Sequence, residues 1–247
     1  MKLASLNDGS KDGQLIVVSK DLSKFAYASD VSQTMQNAMD NWEDVFNELT
    51  SLSNDLNRGN LKSKKFEPKN VLSPLPRSYQ WADGSAYVNH VHLVRKARGA
   101  DMPDSFWNDP LMYQGGSDDF IPPLSPIYLP DESWGIDMEG EIAVITGKVN
   151  MGTSSKKALS SIRLLMLVND VSLRNLIPNE LSKGFGFFQS KPSTAFSPVA
   201  VTPDELDNIW RDGKVHQVLE VDLNGEPLGR VNSGIDMTFS FPELISH

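Results

Sequence analysis

The chain has 247 residues, 39% hydrophobic and 22% charged, with a net charge of -9 and no cysteine. No apolar run approaches the ~20 residues of a membrane-spanning helix, and the acidic balance disfavours a nucleic-acid partner, because the one basic cluster, Arg95-Lys96-Arg98, is short. Without cysteine there are no disulfides, thiolate zinc sites or cysteine nucleophiles, so any metal must be held by oxygen or imidazole. Met1 to Ser5 leads into polar sequence with neither secretory nor transit character, which makes a cytoplasmic location the default expectation.

Residues 2–6 and 14–19 read as strands separated by the turn-prone residues 7–13. Over 31–56, Met35, Met39, Trp42, Val45, Phe46 and Leu49 recur at spacings of three and four, predicting one amphipathic helix with Asp30 or Ser32 as its cap. A polar stretch and the prolines of 71–77 then suit an extended entry into a second domain. The boundary falls near residue 70, dividing a small N-terminal domain, 1–70, from a larger domain, 71–247. Residues 85–98 predict a helix stopping at Gly99. A separation of seven returns almost to the same helix face, so Asp83 and His90 would look into one cavity, while His92 is rotated from His90 by about 200°.

Residues 101–131, rich in Pro, Gly, Ser and Asp, show no periodicity and read as a long irregular segment of the kind that lines a site. Strands follow at 136–146 and 163–171, the second preceded by a short helix at 154–160. Residues 218–231 form a hairpin around Asn224-Gly225, and Phe241-Pro242-Glu243-Leu244 begins a helix. The pattern is α+β and β-rich, without the regular strand-helix alternation of a doubly wound sheet.

Chemistry concentrates in the carboxylates. Glu139 and Glu141, two apart on a strand, would project from one face and repel each other unless a cation neutralises them. A lone Glu-x-Glu is more often a solvent-facing edge. Asp170 ends the apolar run Leu164-Leu165-Met166-Leu167-Val168, where an ionised carboxylate needs a metal or a paired donor; its plainer reading is a cap for residues 172–175. Asp83 has a similar plain reading as a turn residue. Four carboxylates together would favour magnesium, calcium or manganese over zinc. His90 suits a general base because the unperturbed imidazole pKa is about 6.5. Lys191, in a loop rich in glycine and aromatic residues, would set an ammonium against a developing oxyanion, whereas alone it would read as a solvated lysine.

Asp83-x6-His90, Asp137-Met138-Glu139-Gly140-Glu141, Val168-Asn169-Asp170-x-Ser172-x-Arg174 and Ser190-Lys191-Pro192-x5-Ser197-Pro198 occur in that order. From about residue 70 onward the chain resembles the fumarylacetoacetate hydrolase family, and its N-terminal part resembles the accessory domain of the longer bacterial members. The resemblance implies a mixed β-sandwich roll preceded by a small α+β domain, usually as a homodimer. It implies that Asp83, Glu139, Glu141 and Asp170 bind the metal, that His90 activates water, that Lys191 holds the oxyanion, and that Tyr113 and Arg174 contact substrate. The implied reaction is hydrolysis of a carbon-carbon bond in a fumarylacetoacetate-like β-diketo acid, as in tyrosine and other aromatic catabolism. Decarboxylation or isomerisation of a related oxo-acid on the same metal, or a catalytically silent homologue, are the alternatives. Members of the family generally extend beyond the position of His247, so the chain is expected to be C-terminally shortened.

Overall fold

The computed structural model describes residues 1–97 and 99–247, with Ala97 described by its backbone alone. The expected helix end at Arg98 and that member of the basic cluster lie outside the described residues. In chain order the elements are β1 (Lys2–Leu6), β2 (Gln14–Val18), β3 (Lys24–Tyr27), α1 (Met35–Asp40), α2 (Trp42–Arg58), β4 (Lys64–Lys65), β5 (Trp81–Gly84), α3 (Val88–Ala97), β6 (Met112–Gly115), β7 (Ile136–Asp137) and β8 (Gly140–Thr146). They continue with α4 (Ser155–Ala158), β9 (Ile162–Asn169), β10 (Ser172–Leu173), α5 (Ile177–Ser182), β11 (Ala195–Phe196), β12 (Ala200–Val201), β13 (Trp210–Arg211), β14 (Lys214–Val215), β15 (Val218–Leu223), β16 (Glu226–Asn232) and α6 (Phe241–Ser246). Among the described residues no helix is long and apolar enough to cross a membrane.

One eight-stranded sheet carries the molecule. β8 pairs antiparallel with one edge of β9, and both β11 and β12 pair with its other edge. β12 then joins β1, which leads through β2 and β3 to β4. The N-terminal strands therefore extend the same sheet that β8 and β9 begin. β2 is buried on both faces, which explains its unbroken apolar run Leu15-Ile16-Val17-Val18. Leu15 and Val17 pack with Met35, Trp42, Leu49 and Leu56 of the helices, while Ile16 and Val18 face Phe25, Phe66 and Val71.

The single helix expected over 31–56 is two. Asn41 ends α1, and its side-chain amide donates to the Asn37 carbonyl (2.9 Å), the local competition that makes asparagine a helix terminator. The cap is Thr34, not Asp30 or Ser32: it holds an extended φ of -133° and its hydroxyl accepts the Asn37 N–H at 3.1 Å. The expected hairpin forms, with Asn224 and Gly225 both at positive φ.

Three local expectations fail where the site is built. The stretch 101–131 contains β6, too short to register as periodicity, and β6 pairs with β5 so that Asp83 lies opposite Tyr113. Asp83 is thus a strand residue ahead of a helix that begins at Val88, and the helical spacing argument linking it to His90 does not apply. The strand expected over 136–146 is interrupted at Met138 and Glu139, because β7 pairs with β10 whereas β8 pairs with β9.

Candidate active site

β5, β6, β8 and the turn after β9 deliver Asp83, Tyr113, Glu141 and Asp170 to one place. Trp81 and Asp83 share a face of β5. The indole packs edge-on against Phe196 and Phe120, at centroid distances of 5.4 and 6.4 Å, which roots the strand in an aromatic cluster beneath the carboxylate. Gly115, opposite Trp81, leaves the room this ring needs, since a Cβ there would lie 2.1 Å from its Cδ1. Asp170 is only 1% exposed and does not cap a helix, because the next residues form β10.

Asp83, Glu141 and Asp170 each offer a carboxylate oxygen within 4.8 Å of the others. Beside them Lys191 Nζ donates to Asp170 Oδ2 (2.5 Å), Ser172 Oγ (2.7 Å) and Glu139 Oε2 (2.9 Å). Tyr113 donates its hydroxyl to Asp170 Oδ2 at 2.6 Å, and Thr194 donates to Asp170 Oδ1 at 3.4 Å. The lysine ammonium also lies over the rings of Tyr113 and Phe187, which pack edge to face. Glu139 turns to the two cations: besides Lys191 it pairs with Arg174, which also donates through Nε to Asp137 Oδ2 at 2.7 Å. The strand interruption accounts for this divergence. The Glu139 backbone N–H donates to Asn169 Oδ1 (3.2 Å) and its carbonyl accepts the Asp170 N–H (3.0 Å), so Glu139 follows the turn after β9 instead of projecting with Glu141 from one strand face.

The electrostatics follow from this division. Burial, then the Asp170 charge, pushes Asp83 up to about 7. Burial, then the charges of Asp83, Asp170 and Glu139, raises Glu141 well above the usual carboxylate range. Burial would raise Glu139 too, but the charges of Lys191 and Arg174 prevail and hold it low. Burial works against the Lys191 ammonium, yet Asp170 and Glu139 keep its pKa above the ordinary value. Burial, then the charges of Asp83 and Asp170, raises the Tyr113 hydroxyl, so this side chain is a donor throughout the physiological range. Three convergent carboxylates, two of them reluctant to ionise, form an all-oxygen donor set that a hard divalent cation fits and relieves.

His90 is exposed on α3, whereas Asp170 is enclosed. Sequence reasoning passed over Thr194 and Glu180. Glu180 is buried beneath the Lys191 loop and accepts the N–H groups of Phe188 (2.9 Å), Gln189 (2.7 Å) and Ser190 (3.1 Å), together with the Ser190 hydroxyl (2.5 Å).

Comparison with known proteins gives the arrangement its context. Over 162 residues the chain is 29% identical to an uncharacterized protein of Pyrococcus abyssi, covering 65% of this chain and 66% of that protein. It is 30% identical over 142 residues to the 2,4-didehydro-3-deoxy-L-rhamnonate hydrolase of a Sphingomonas species, covering 56% of this chain and 47% of that one. The mitochondrial oxaloacetate tautomerase of Homo sapiens is 28% identical over 177 residues, covering 70% and 76%. The chain thus spans just under two thirds of the archaeal relative and about half of the rhamnonate hydrolase. Among solved structures, maleylpyruvate hydrolase from Sphingobium sp. SYK-6 superposes with a TM-score of 0.70 at 15% identity, over all of this chain and 82% of that one. Fumarylacetoacetate hydrolase from Exiguobacterium antarcticum gives 0.68 at 17%, over all of this chain and 80% of that one. Residues 1–77 match the fumarylacetoacetase N-terminal domain 2. Since residues 80–247, well over half of its length, match the fumarylacetoacetate hydrolase C-terminal model, the chain belongs to the fumarylacetoacetate hydrolase family.

Proposed function

We propose that the protein is a cation-dependent hydrolase that cleaves a carbon-carbon bond in a fumarylacetoacetate-like β-diketo acid. The observation that carries this reading is the meeting of Asp83, Glu141 and Asp170 within 4.8 Å, next to the buried Lys191 ammonium. These three carboxylates would hold magnesium, calcium or manganese, with Glu139 beside them as the remaining member of the expected set. Such an ion, when bound, supplies Lewis-acid polarisation of an oxo-acid carbonyl.

The chain's own groups do the rest. Lys191, with its side chain 8% exposed, keeps a fixed positive charge where negative charge collects on an oxygen. Tyr113 contributes a neutral hydroxyl donor from the facing strand. Arg174, half-buried at the rim, offers a planar guanidinium suited to a substrate carboxylate. His90 takes the proton from the attacking water. A homodimer, a cytoplasmic location, a division into domains near residue 70 and a role in aromatic catabolism belong to the same proposal, supported by family membership.

Turnover of a panel of β-diketo acids by the purified protein with magnesium tests the reading. Hydrolysis that disappears in Asp170→Asn and His90→Ala is the expected result; hydrolysis unchanged in His90→Ala removes that residue as the base. A second reading, tautomerisation of an oxo-acid such as oxaloacetate, is favoured by the similarity to the human tautomerase over 70% of the chain. Enol-keto exchange of oxaloacetate without cleavage of any diketo acid would replace the first reading by the second.

A further inference from the structure

We propose that Glu180 is the positioning residue of Lys191, setting the ammonium in the carboxylate cluster by holding the backbone of the three residues before it. Consecutive N–H groups of Phe188, Gln189 and Ser190 converge on this one carboxylate, and the Ser190 hydroxyl adds a fourth bond. Each is a charge-assisted bond, stronger than its neutral equivalent. Ser190 is completely buried, and its carbonyl accepts the Leu173 N–H at 2.8 Å, which ties the anchored backbone to β10, the strand that carries Ser172 to Lys191.

Little else packs around the start of this segment. Gly184 and Gly186 both have positive φ, and nothing surrounds either within 4 Å of where a Cβ would stand. The rings of Phe185 and Phe188 are 98% and 85% exposed, so they do not hold the loop down. Among the described residues the inward contacts include the Glu180 bonds, the Ser190 carbonyl on the Leu173 N–H and, flanking them, Phe187 on Tyr113 and Lys191 in the cluster. Burial alone would push the Glu180 carboxyl up, but the Ser190 hydroxyl and the backbone N–H groups hold it at about 2, so the anchor stays charged across the working range of pH.

Its consequence for catalysis rests on the proposed role of Lys191; its geometry does not, and the test reads geometry. Whole protein is acylated with a limiting amine reagent, and the rate at Lys191 is compared with Lys2 and Lys214 by peptide mass spectrometry. Glu180→Gln is expected to raise the Lys191 rate at least about tenfold, the equivalent of losing one hydrogen bond to a charged group. The stability control is Glu243→Gln, which removes a carboxylate that accepts the Ser240 N–H and hydroxyl at α6. A Lys191 rate unchanged, or raised only in step with Lys2 and Lys214 as in that control, overturns the proposal. Should Glu180→Gln not fold, Ser190→Ala, which keeps the three N–H bonds, is expected to raise the Lys191 rate by about threefold, and no selective rise there overturns it equally. Absence of diketo-acid hydrolysis by the unaltered protein, with Lys191 labelling in the variants as expected, would count against the proposed reaction and not against the anchor.

Discussion

Lys191 compensates two buried carboxylates at once, so its removal costs more than one ion pair. Lys191→Met would leave Glu139 with Arg174 alone and Asp170 with hydroxyl donors alone. Breaking a buried pair from one side costs about 3–5 kcal/mol, equivalent to a fall in melting temperature of roughly 10 °C for a chain of this size. Magnesium should return part of that loss in a thermal melt, by supplying the missing positive charge. Asp83 is the opposite case. Because its ionised form is disfavoured by burial and by Asp170, Asp83→Asn is expected to stabilise the cation-free protein at pH 8 by up to about 3 kcal/mol while weakening magnesium binding at least about 100-fold. Denaturant unfolding and calorimetric titration check the two halves, and a variant that lost both stability and affinity would mean that Asp83 is a structural residue instead of a ligand.

Individual elements meet at close quarters around the interruption between β7 and β8. A Cβ on Gly140 would stand 2.6 Å from Val221 Cγ2 of the β15–β16 hairpin. Gly140→Ala should therefore displace the hairpin or the turn that orients Glu139, at a cost of about 1–3 kcal/mol. Val221→Ala in the same chain should recover most of it, as unfolding of the single and double variants would show. The same place marks how far residue patterns could be read. Asp83, Glu141, Asp170 and Lys191 stand out because they fall in motifs whose order along the chain resembles that of the family. The partners of Glu139 do not, because period-two alternation presumes an unbroken strand, and the break depends on an asparagine 30 residues away. Glu180 is harder still to find, since three of its four bonds come from backbone N–H groups, which leave no trace in residue identity. α1 and α2 were legible as an apolar stripe but not as two helices, for the stripe continues through Asn41.

At the scale of the molecule these groups set how stability depends on pH. Asp83 and Glu141 titrate above the ordinary carboxylate range in the folded state. Between about pH 4 and 7 these two groups therefore bind more protons in the folded, cation-free protein than in the unfolded chain, and their contribution to stability falls as the pH rises through that window. Glu180 has the opposite sign: with its pKa lowered to about 2 from 4.5, its contribution is complete above the higher value and is lost as the pH falls through the lower. Magnesium competes with protons for Asp83 and Glu141, so a fixed excess should raise the melting temperature more at pH 8 than at pH 5. Equal shifts at the two pH values would show that the ion binds elsewhere. Of the sheet, β1, β2, β8 and β9 were foreseeable as strands, whereas the short β3, β4, β11 and β12 and the strand order were not, because β1 and β12 carry nothing that announces their pairing.

That pairing has a consequence for how the protein comes into being. Lys2 and Leu3 lie opposite Val201 and Ala200, so one edge of β1 stays uncovered until nearly 200 further residues have been made. At roughly 5–20 residues per second, ribosomal synthesis leaves that edge open for about 10–40 seconds, long enough for a second nascent chain to pair with it. The hairpin of β1 and β2 can form early, but the sheet closes late, so added chaperone during translation is expected to raise the yield of folded protein.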